Sequence, residues 1–248
     1  MRNILLAATA AITLGATPAL AQDEEQRGFY GQLNAGLTSL NDLDLTFVDV
    51  DGAGTNVGIS AGTKNAFEFG GALGYDFGLV RTEVELAYSR ARNNSLTLKK
   101  IGGVAVPANS LQGLVDVGIE TNVIDLTDAT NVKVNGNTVT YDNGAKLRRL
   151  SALANLWLDI PVGGSGISPY VGGGLGIQGS EIEGEGKATF AWQLGAGVAI
   201  PVGSSFAITA DYRYRQQSGY TLNEDGFVYA RIGKAKSSSF QLGLRAYF

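Results

Sequence analysis

The sequence predicts an all-β fold, an eight-stranded antiparallel up-and-down β-barrel whose strands cross a membrane. Three observations support this prediction. Apolar and polar residues alternate with a period of two in eight segments, which is typical of strands with one apolar and one polar face. Glycine is abundant, at 35 of 248 residues. The connections between the eight segments are alternately short and long, as in barrels that cross a membrane with their strands.

The amino-terminal residues have the pattern of a secretory signal peptide. A basic start precedes an apolar stretch from Ile4 to Leu14, and Ala19-Leu20-Ala21 has the small-residue pattern of a cleavage site. We therefore predict export through the general secretory route, removal of residues 1–21 by cleavage after Ala21, and a mature barrel formed by residues 22–248. The apolar stretch is shorter than the roughly 20 residues that a membrane-spanning helix needs.

Each of the eight segments alternates apolar residues with polar residues or glycine. In the first four, the apolar positions are Phe29, Leu33, Ala35 and Leu37 near 28–38; Phe67, Phe69, Leu73, Tyr75 and Phe77 in 67–77; Val84, Leu86 and Tyr88 in 81–89; and Leu150, Ala152, Ala154, Leu156 and Leu158 near 146–160. In the last four, they are Val171, Leu175 and Ile177 near 169–178; Phe190, Trp192, Leu194, Ala196 and Val198 near 188–200; Phe206, Ile208, Ala210, Tyr212 and Tyr214 near 206–215; and Phe240, Leu242, Leu244, Ala246 and Phe248 near 236–248. Each alternation predicts one strand.

The connections on one side of the predicted barrel are short, and those on the other side are long. Short turns are predicted at 78–80, 161–168 and 201–205. Outer loops are predicted at about 39–64, 92–145, 179–187 and 216–234. Such asymmetry is typical of barrels in an outer membrane, where the inner turns are short and the outward loops are long.

The polar face carries charges in the middle of strands, which indicates that it faces the lumen. A soluble, lipocalin-like barrel would show the same alternation with the opposite orientation. Mixed signs allow these charges to pair inside a narrow barrel, so we predict a lumen ion-pair network of Glu68, Arg81, Glu83, Glu85, Arg149, Asp211, Arg213, Arg215 and Arg245. This network is expected to plug the lumen, and the alternative is a gated small-ion path through it.

Aromatic residues on the apolar face cluster near the strand ends, as in the aromatic girdles of membrane barrels. The predicted girdle on the turn side consists of Phe29, Tyr75, Phe77, Phe206 and Phe248. The predicted girdle on the loop side consists of Phe67, Phe69, Tyr88, Phe190, Trp192, Tyr212, Tyr214 and Phe240. Two girdles around an aliphatic band favour a membrane barrel over a soluble one.

Several segments resemble a known family. The signal peptide, the glycine-rich strand that starts at Tyr170, the Asp211-Tyr212-Arg213-Tyr214 strand and the terminal Phe248 are similar to the eight-stranded outer-membrane barrels of the opacity-protein and OmpA transmembrane-domain type. This resemblance implies a Gram-negative surface antigen in the cell outer membrane. It also implies that the barrel assembly machinery recognises the carboxy-terminal strand.

The composition argues against an enzyme and against a metal or cofactor site. The chain has no cysteine and no histidine, which excludes thiolate and imidazole ligands and every catalytic arrangement that needs a histidine. Glu83 and Glu85 lie on one strand face inside the predicted plug, where substrate access is poor. We therefore expect no catalytic residue, no cofactor and, at a net charge of -4, no nucleic-acid partner.

Five cations lie on the apolar face at the loop-side ends of strands. They are Arg90, Arg92, Lys146, Arg148 and Lys236. Such side chains extend to the headgroup level, where the phosphates of lipopolysaccharide are suitable partners. We predict a lipopolysaccharide-binding belt, and the alternative is a rim whose charges are merely solvated.

The longest loop contains a second structural signal. Val132-Lys133-Val134 and Thr138-Val139-Thr140-Tyr141 flank Asn135-Gly136, which predicts a β-hairpin, and the many apolar residues between Val104 and Leu126 suggest an ordered loop. The sequence therefore predicts a monomeric barrel with a structural or surface-interaction role in envelope integrity or adhesion, with possible contacts to a host or surface ligand through its loops. The alternative function is a porin-like channel for small solutes or ions.

Overall fold

The computed structural model describes residues 27–49, 52–108, 129–162, 166–182, 185–224 and 227–248. The predicted signal peptide with its cleavage residue Ala21, and the apolar loop residues from Leu111 to Leu126, lie outside these ranges. Among the described residues, no helix is long and apolar enough to cross a membrane.

The described residues form fifteen β-strands. They are β1 (Gly28–Leu40), β2 (Leu43–Phe47), β3 (Val57–Thr63), β4 (Ala66–Asp76), β5 (Val80–Ile101), β6 (Val104–Ala105), β7 (Thr130–Asn135), β8 (Thr138–Asp142), β9 (Lys146–Asp159), β10 (Ser168–Ile182), β11 (Glu185–Val202), β12 (Phe206–Gln217), β13 (Tyr220–Glu224), β14 (Phe227–Ile232) and β15 (Ala235–Tyr247). The eight predicted segments correspond to β1, β4, β5, β9, β10, β11, β12 and β15.

These eight strands form a closed antiparallel ring. Each pairs with the next in chain order. The last strand closes the ring on the first, from Tyr247 opposite Tyr30 to Ser237 opposite Leu40. A closed ring leaves no unpaired edge in its wall. The predicted eight-stranded up-and-down barrel is confirmed.

The apolar face of the ring points outward and the polar face points into the lumen. Leu33 is 72% exposed and Leu242 is 68% exposed, whereas the neighbouring Gln32 and Gln241 are buried. A barrel that folds in water would bury its apolar face instead. The alternative of a soluble, lipocalin-like barrel is therefore wrong.

Glycines on β10 make room for large polar and aromatic side chains in the lumen. A Cβ atom at Gly172 would lie 2.7 Å from Cε3 of Trp157, and one at Gly174 would lie 1.8 Å from Oδ1 of Asn155. Glycine is therefore required at both positions, because the space of a side chain is already occupied.

The connections on the loop side of the ring fold into a second sheet, which we call the cap. Its strands follow one another in the order β13, β14, β2, β3, β5, β8 and β7, and it uses residues 93–101 of β5. The predicted hairpin at Asn135-Gly136 is confirmed, since β7 and β8 flank it and Gly136 has a φ of 58°.

The predicted outer loops therefore contain much more strand than we expected. Within 39–64, 92–145 and 216–234, the chain forms β2, β3, the end of β5, β6, β7, β8, β13 and β14. The predicted loop at 179–187 is mostly strand, because β10 and β11 remain paired as far as Ile182 opposite Glu185. Alternation in these segments is too short to predict strands from the sequence.

Strand β5 runs from the ring into the cap, and its buried face changes on the way. The buried positions have odd numbers from Arg81 to Ala91 and even numbers at Leu96 and Leu98. The buried residues also change in kind, from three charged residues, two alanines and a serine in the ring to leucine in the cap. Strand β5 therefore follows one pattern of burial in the ring and the opposite pattern in the cap.

A β-bulge at Asn94 produces this change. In the pairing of β3 with β5, Gly62 lies opposite Ser95 and Thr63 lies opposite Asn93, so Asn94 is skipped. The side-chain amide of Asn93 donates hydrogen bonds to the carbonyl oxygens of Gly62 at 2.8 Å and of Ser95 at 3.3 Å. One extra residue moves the side chains that follow, as far as Leu98, to the other face.

Beyond the bulge, the cap has an apolar core of its own. Its buried members are Val57, Ile59, Ala61, Leu96, Leu98 and Tyr141. Partly buried residues such as Phe47 and Val139 pack against them. The cap is therefore held together by apolar packing.

Candidate functional site

All nine charged residues that we predicted for the lumen lie in it, and each is at most 5% exposed. The prediction missed two carboxylates. Asp76 is also buried in the lumen, and Asp159 contacts Arg81. Among the described residues, five arginines (Arg81, Arg149, Arg213, Arg215 and Arg245) therefore face six carboxylates (Glu68, Asp76, Glu83, Glu85, Asp159 and Asp211). The lumen is close to electroneutral without a bound ion.

The middle layer of the lumen is a network of ion pairs around two glutamates. Glu85 contacts Nη1 of Arg213 at 2.6 Å with one oxygen and Nη2 of Arg215 at 3.1 Å with the other. Glu68 lies 3.4 Å from Nη1 of Arg215 and 3.9 Å from Nη2 of Arg149. The strands that contribute these residues are β4, β5, β9 and β12, so the network ties opposite walls together.

Neutral amides complete the hydrogen bonding of this layer. Glu85 Oε2 accepts from Asn155 at 2.6 Å and from Gln193 at 2.8 Å, and Glu68 Oε1 accepts from Gln241 at 2.7 Å. Removing one partner of a buried ion pair typically costs about 3–5 kcal/mol, because the other charge is left uncompensated. The layer therefore holds its geometry firmly.

The turn-side layer combines arginines with aromatic rings. Arg81 donates two hydrogen bonds to Asp159, from Nε at 2.6 Å and from Nη2 at 2.9 Å. Glu83 accepts from the hydroxyl of Tyr30 and from Nε1 of Trp157, both at 2.8 Å. Each oxygen of this glutamate is thereby occupied.

Arginine stacking on tyrosine fills the rest of this layer. The guanidinium carbon of Arg81 lies 4.7 Å from the ring centre of Tyr170, and that of Arg245 lies 5.1 Å from the ring centre of Tyr30. The Tyr170 hydroxyl donates a hydrogen bond to Asp211. Sequence reasoning missed these aromatics, although their alternation places them on the polar face.

The loop-side layer of the lumen is apolar on one side and polar on the other. Leu40, Ala66, Ala91 and Leu147 form a buried cluster, and Ile182 packs against it. Across the lumen from this cluster, Gln217 accepts hydrogen bonds from the side-chain amide of Gln178 at 2.9 Å and from the hydroxyl of Ser180 at 2.7 Å. The lumen is thus filled by an aromatic and arginine layer, an ion-pair layer and a layer that is partly apolar and partly amide.

The sequence matches the profile of the family described as "Outer membrane protein beta-barrel domain" over residues 7–248. The chain belongs to this family. As a member of the outer-membrane β-barrels, it exposes its apolar wall to lipid and carries the cap outside the hydrocarbon region.

Similar solved structures are also outer-membrane proteins. The neisserial surface protein A, NspA, is 17% identical with a TM-score of 0.48, and the match covers 89% of this chain and 97% of that one. OprG from Pseudomonas aeruginosa is 13% identical with a TM-score of 0.49, at coverages of 90% and 97%. The outer membrane protease OmpT from Escherichia coli is 8% identical with a TM-score of 0.43, at 89% and 97%. No curated protein matches the chain.

The thirteen aromatics of the predicted girdles all lie on the lipid-facing side of this outer-membrane barrel. Ten of them are between 41% and 69% exposed. The half-buried ones are Tyr75, Trp192 and Tyr214. Several contact a neighbouring ring, as in the pair of Phe29 and Tyr75, whose ring centres are 4.9 Å apart.

Four of the five cations of the predicted belt come together. Arg90 lies opposite Arg148, and Arg92 lies opposite Lys146, on the adjacent strands β5 and β9. All four side chains are exposed, and we call them the cationic cluster. Lys236 is also exposed, but it lies on β15 and is separated from β5 by β1 and β4. It does not belong to the cluster.

The cap carries a polar group above the cationic cluster. Lys64 Nζ lies 2.7 Å from Oδ1 of Asp142, and the side-chain amide of Asn131 donates to Oδ2 at 3.0 Å. The hydrogen bond from Lys64 lowers the pKa of Asp142 below its ordinary value. Burial raises the pKa of the adjacent Tyr141 to about 12. At neutral pH this group therefore contains one ion pair and a neutral phenol.

Proposed function

We propose that this protein is a non-enzymatic, non-conducting outer-membrane barrel that supports envelope integrity and presents its cap for surface interactions such as adhesion. The observation that carries the proposal is the filling of the lumen by three successive layers. An eight-stranded barrel has an interior that side chains alone can fill. The near balance of arginines and carboxylates stabilises this filling without a mobile ion.

The cap supports the surface-interaction part of the proposal. It is a sheet with its own apolar core, and its polar face is exposed. Binding residues commonly lie on connections that a rigid scaffold positions. A host or surface ligand would meet this face first, because the cap is the outermost described part of the chain.

A small-solute or ion channel is the second candidate. The observation that favours it is a set of buried lumen atoms that have no hydrogen-bond partner among the described residues, namely Arg81 Nη1, Gln178 Oε1, Asp211 Oδ2, Arg213 Nε and Gln241 Oε1. Ordered water commonly satisfies such atoms. A chain of water molecules between them would be the beginning of a path.

Single-channel recording of the refolded protein in a planar bilayer distinguishes the two candidates. We expect no discrete conductance steps from protein whose insertion is verified by its gel shift between unboiled and boiled samples. Reproducible steps that change when Arg81, Glu83 or Arg213 is neutralised would contradict the proposal and establish the channel.

We further propose that the barrel assembly machinery recognises β15. The strand presents Phe240, Leu242 and Leu244 on the lipid-facing side, and Phe248 follows it with an exposed ring. Phe248→Ala should slow assembly by the machinery and leave spontaneous refolding into detergent unchanged. Equal slowing of both processes would indicate a general folding defect and contradict recognition.

A further inference from the structure

The cationic cluster places like charges directly opposite one another. Arg90 and Arg148 form one cross-strand pair, and Arg92 and Lys146 form the next pair on the same face. Cβ atoms of such pairs lie about 4.5–5.5 Å apart, and like charges at this distance destabilise a sheet. An anion between the pairs would turn this repulsion into attraction through charge-assisted hydrogen bonds.

The described residues neutralise only part of the cluster. Arg148 Nη1 lies 3.1 Å from Oε1 of Glu181, and this ion pair is half-exposed. Arg92 Nη1 donates to the neutral amide oxygen of Asn143 at 3.2 Å. Within the described ranges, Arg90 and Arg92 form no ion pair. Their charge is therefore available to an external anion.

Below the cluster, the same two strands present an apolar surface to the membrane. Tyr88 lies opposite Leu150 in the row beneath Arg90 and Arg148, and Leu86 lies opposite Ala152 in the next row. Tyr88, Leu150 and Leu86 are all exposed. The cluster thus lies where acyl chains end and headgroups begin.

Above the cluster, the cap contains a cavity of about 330 Å³. Its polar lining consists of Lys64, Asn94, Asn131, Lys133, Thr140 and Asp142. The cavity is joined to the cluster by the backbone, because Lys64 N donates to the carbonyl oxygen of Arg92 at 3.0 Å. Amides, a hydroxyl and ammonium groups in one cavity are suited to sugar hydroxyls and acidic substituents.

The cavity forms where the sheet is least regular. Asn94 is the bulged residue of β5, and Asn131 has a left-handed φ of 53° next to a register shift between β7 and β8. Such backbone irregularities commonly occur at binding sites, where they redirect side chains. Both asparagines line the cavity as a result.

We propose that the outer face of β5 and β9 binds one lipopolysaccharide molecule, with its phosphates on the cationic cluster, its acyl chains on the wall below and its inner sugars in the cavity above. The apolar, cationic and sugar-binding surfaces follow one another along the strands in the order of that molecule's parts. The proposal rests on the surface role of the cap, but it does not depend on whether the lumen conducts.

Charge neutralisation tests the cationic part. The test variant carries Arg90→Gln, Arg92→Gln, Lys146→Gln and Arg148→Gln, and the matched control carries Lys99→Gln, Lys100→Gln, Lys187→Gln and Lys236→Gln. All four control positions are exposed and outside the cluster. We expect the test variant, purified from outer membranes, to retain lipopolysaccharide about tenfold less than the natural sequence and the control. Equal retention by both variants would overturn the proposal.

A thermal measurement separates binding from misfolding. Without lipopolysaccharide, the test variant should melt at a higher temperature than the natural sequence in the gel-shift assay, because repulsion within the cluster is removed. Added lipopolysaccharide should raise the melting temperature of the natural sequence and the control, but not that of the test variant. If inorganic phosphate alone gives the natural sequence the same rise, the site binds free phosphate and the proposal is wrong.

The sugar-binding part is tested by a second variant, Lys133→Gln with Thr140→Val. The natural sequence should bind lipopolysaccharide that carries core sugars about tenfold more tightly than lipid A without them. The second variant should bind both forms equally, at the affinity of lipid A. Equal affinities for the two forms in the natural sequence would overturn the assignment of the cavity. These outcomes do not depend on whether either variant conducts ions. The lipopolysaccharide site and the non-conducting lumen can therefore be contradicted independently of each other.

Discussion

The ring wall and the cap share one strand, β5, which buries opposite kinds of residue in the two regions. In the ring, β5 buries Arg81, Glu83 and Glu85 and exposes Val84 and Leu86. In the cap, it buries leucines and exposes lysines. The apolar residues of β5 have even numbers in both regions, and the bulge at Asn94 turns them from the lipid-facing side to the inside of the cap.

The two regions are stabilised by different interactions as a consequence. The ring replaces an apolar core with ion pairs, amide hydrogen bonds and arginine stacking, since lipid already solvates its apolar side chains. The cap buries apolar surface from water, as a soluble domain does. One bulged residue, Asn94, separates the two arrangements.

The largest expected effect is in the lumen. Glu85→Ala leaves Arg213 and Arg215 without their shared carboxylate and should lower the free energy of unfolding by about 3–5 kcal/mol. The matched control is Glu181→Ala, which removes an exposed carboxylate from Arg148 and should cost about 0–1 kcal/mol. Urea titration followed by the gel shift measures both. Similar losses for the two variants would show that the lumen ion pairs are as accessible to water as the exposed ion pair of Glu181 and Arg148.

A comparable effect is expected in the cap, by a different mechanism. Leu98→Ala creates a cavity in the apolar core and should destabilise the cap by about 2–5 kcal/mol. Val104→Ala, at an exposed position, should change stability by less than about 0.5 kcal/mol. Hydrogen exchange of the cap amides measures the change, while exchange in the ring should stay constant. Loss of ring protection would mean that the two regions unfold together.

The outward faces of the two regions can be compared on one strand. Leu86→Arg places a charge in the lipid-facing wall and should cost about 2–4 kcal/mol if it lies near the bilayer midplane. Thr97→Arg, on the polar face of the cap, should cost only about 0.5–1.5 kcal/mol, through loss of the hydrogen bond between the hydroxyls of Thr97 and Thr138. Refolding into lipid vesicles at graded urea concentrations gives both values. Equal tolerance at the two positions would contradict the assignment of lipid and water to these faces.

The smallest expected effect concerns pH and the exposed ion pair between Lys64 and Asp142. The lowered pKa of Asp142 means that its contribution to stability is full above the ordinary value of 3.8 and is lost as the pH falls through the lower folded value. Asp142→Asn should remove this part of the acid sensitivity of the cap. The check is the exchange rate of cap amides between pH 5 and pH 2.5. An unchanged profile in the variant would show that the pair contributes nothing.

The sequence was sufficient to predict the ring because its alternation is long and carries charges. Each ring strand repeats the pattern over nine residues or more, and charges such as Arg213 in mid-strand identify the inner face. The sequence also predicts that Arg90 and Arg148 lie on the apolar face of their strands. Their direct opposition could not be predicted, because it depends on the register between two strands that are separated by a long connection.

The cap strands could not be predicted in the same way. In β5, the largely polar stretch from Ser89 to Ser95 separates Tyr88 from Leu96, so the alternation of apolar residues stops before the cap part of the strand. In β2, the alternation of Leu43, Leu45 and Phe47 with polar residues spans only five positions. The lumen aromatics Tyr30 and Trp157 were missed for another reason, since only the packing shows that their polar atoms reach Glu83.

Spin-label accessibility along β5 tests the account most directly. The chain has no cysteine, so single cysteines at each position from 82 to 100 can be labelled in the inserted protein without background. We predict that accessibility to oxygen in the lipid peaks at even positions from 82 to 88. We also predict that accessibility to a water-soluble relaxation agent is highest at 99 and 100 and lowest at 96 and 98. A single phase from 82 to 98, without a change at Asn94, would contradict the account.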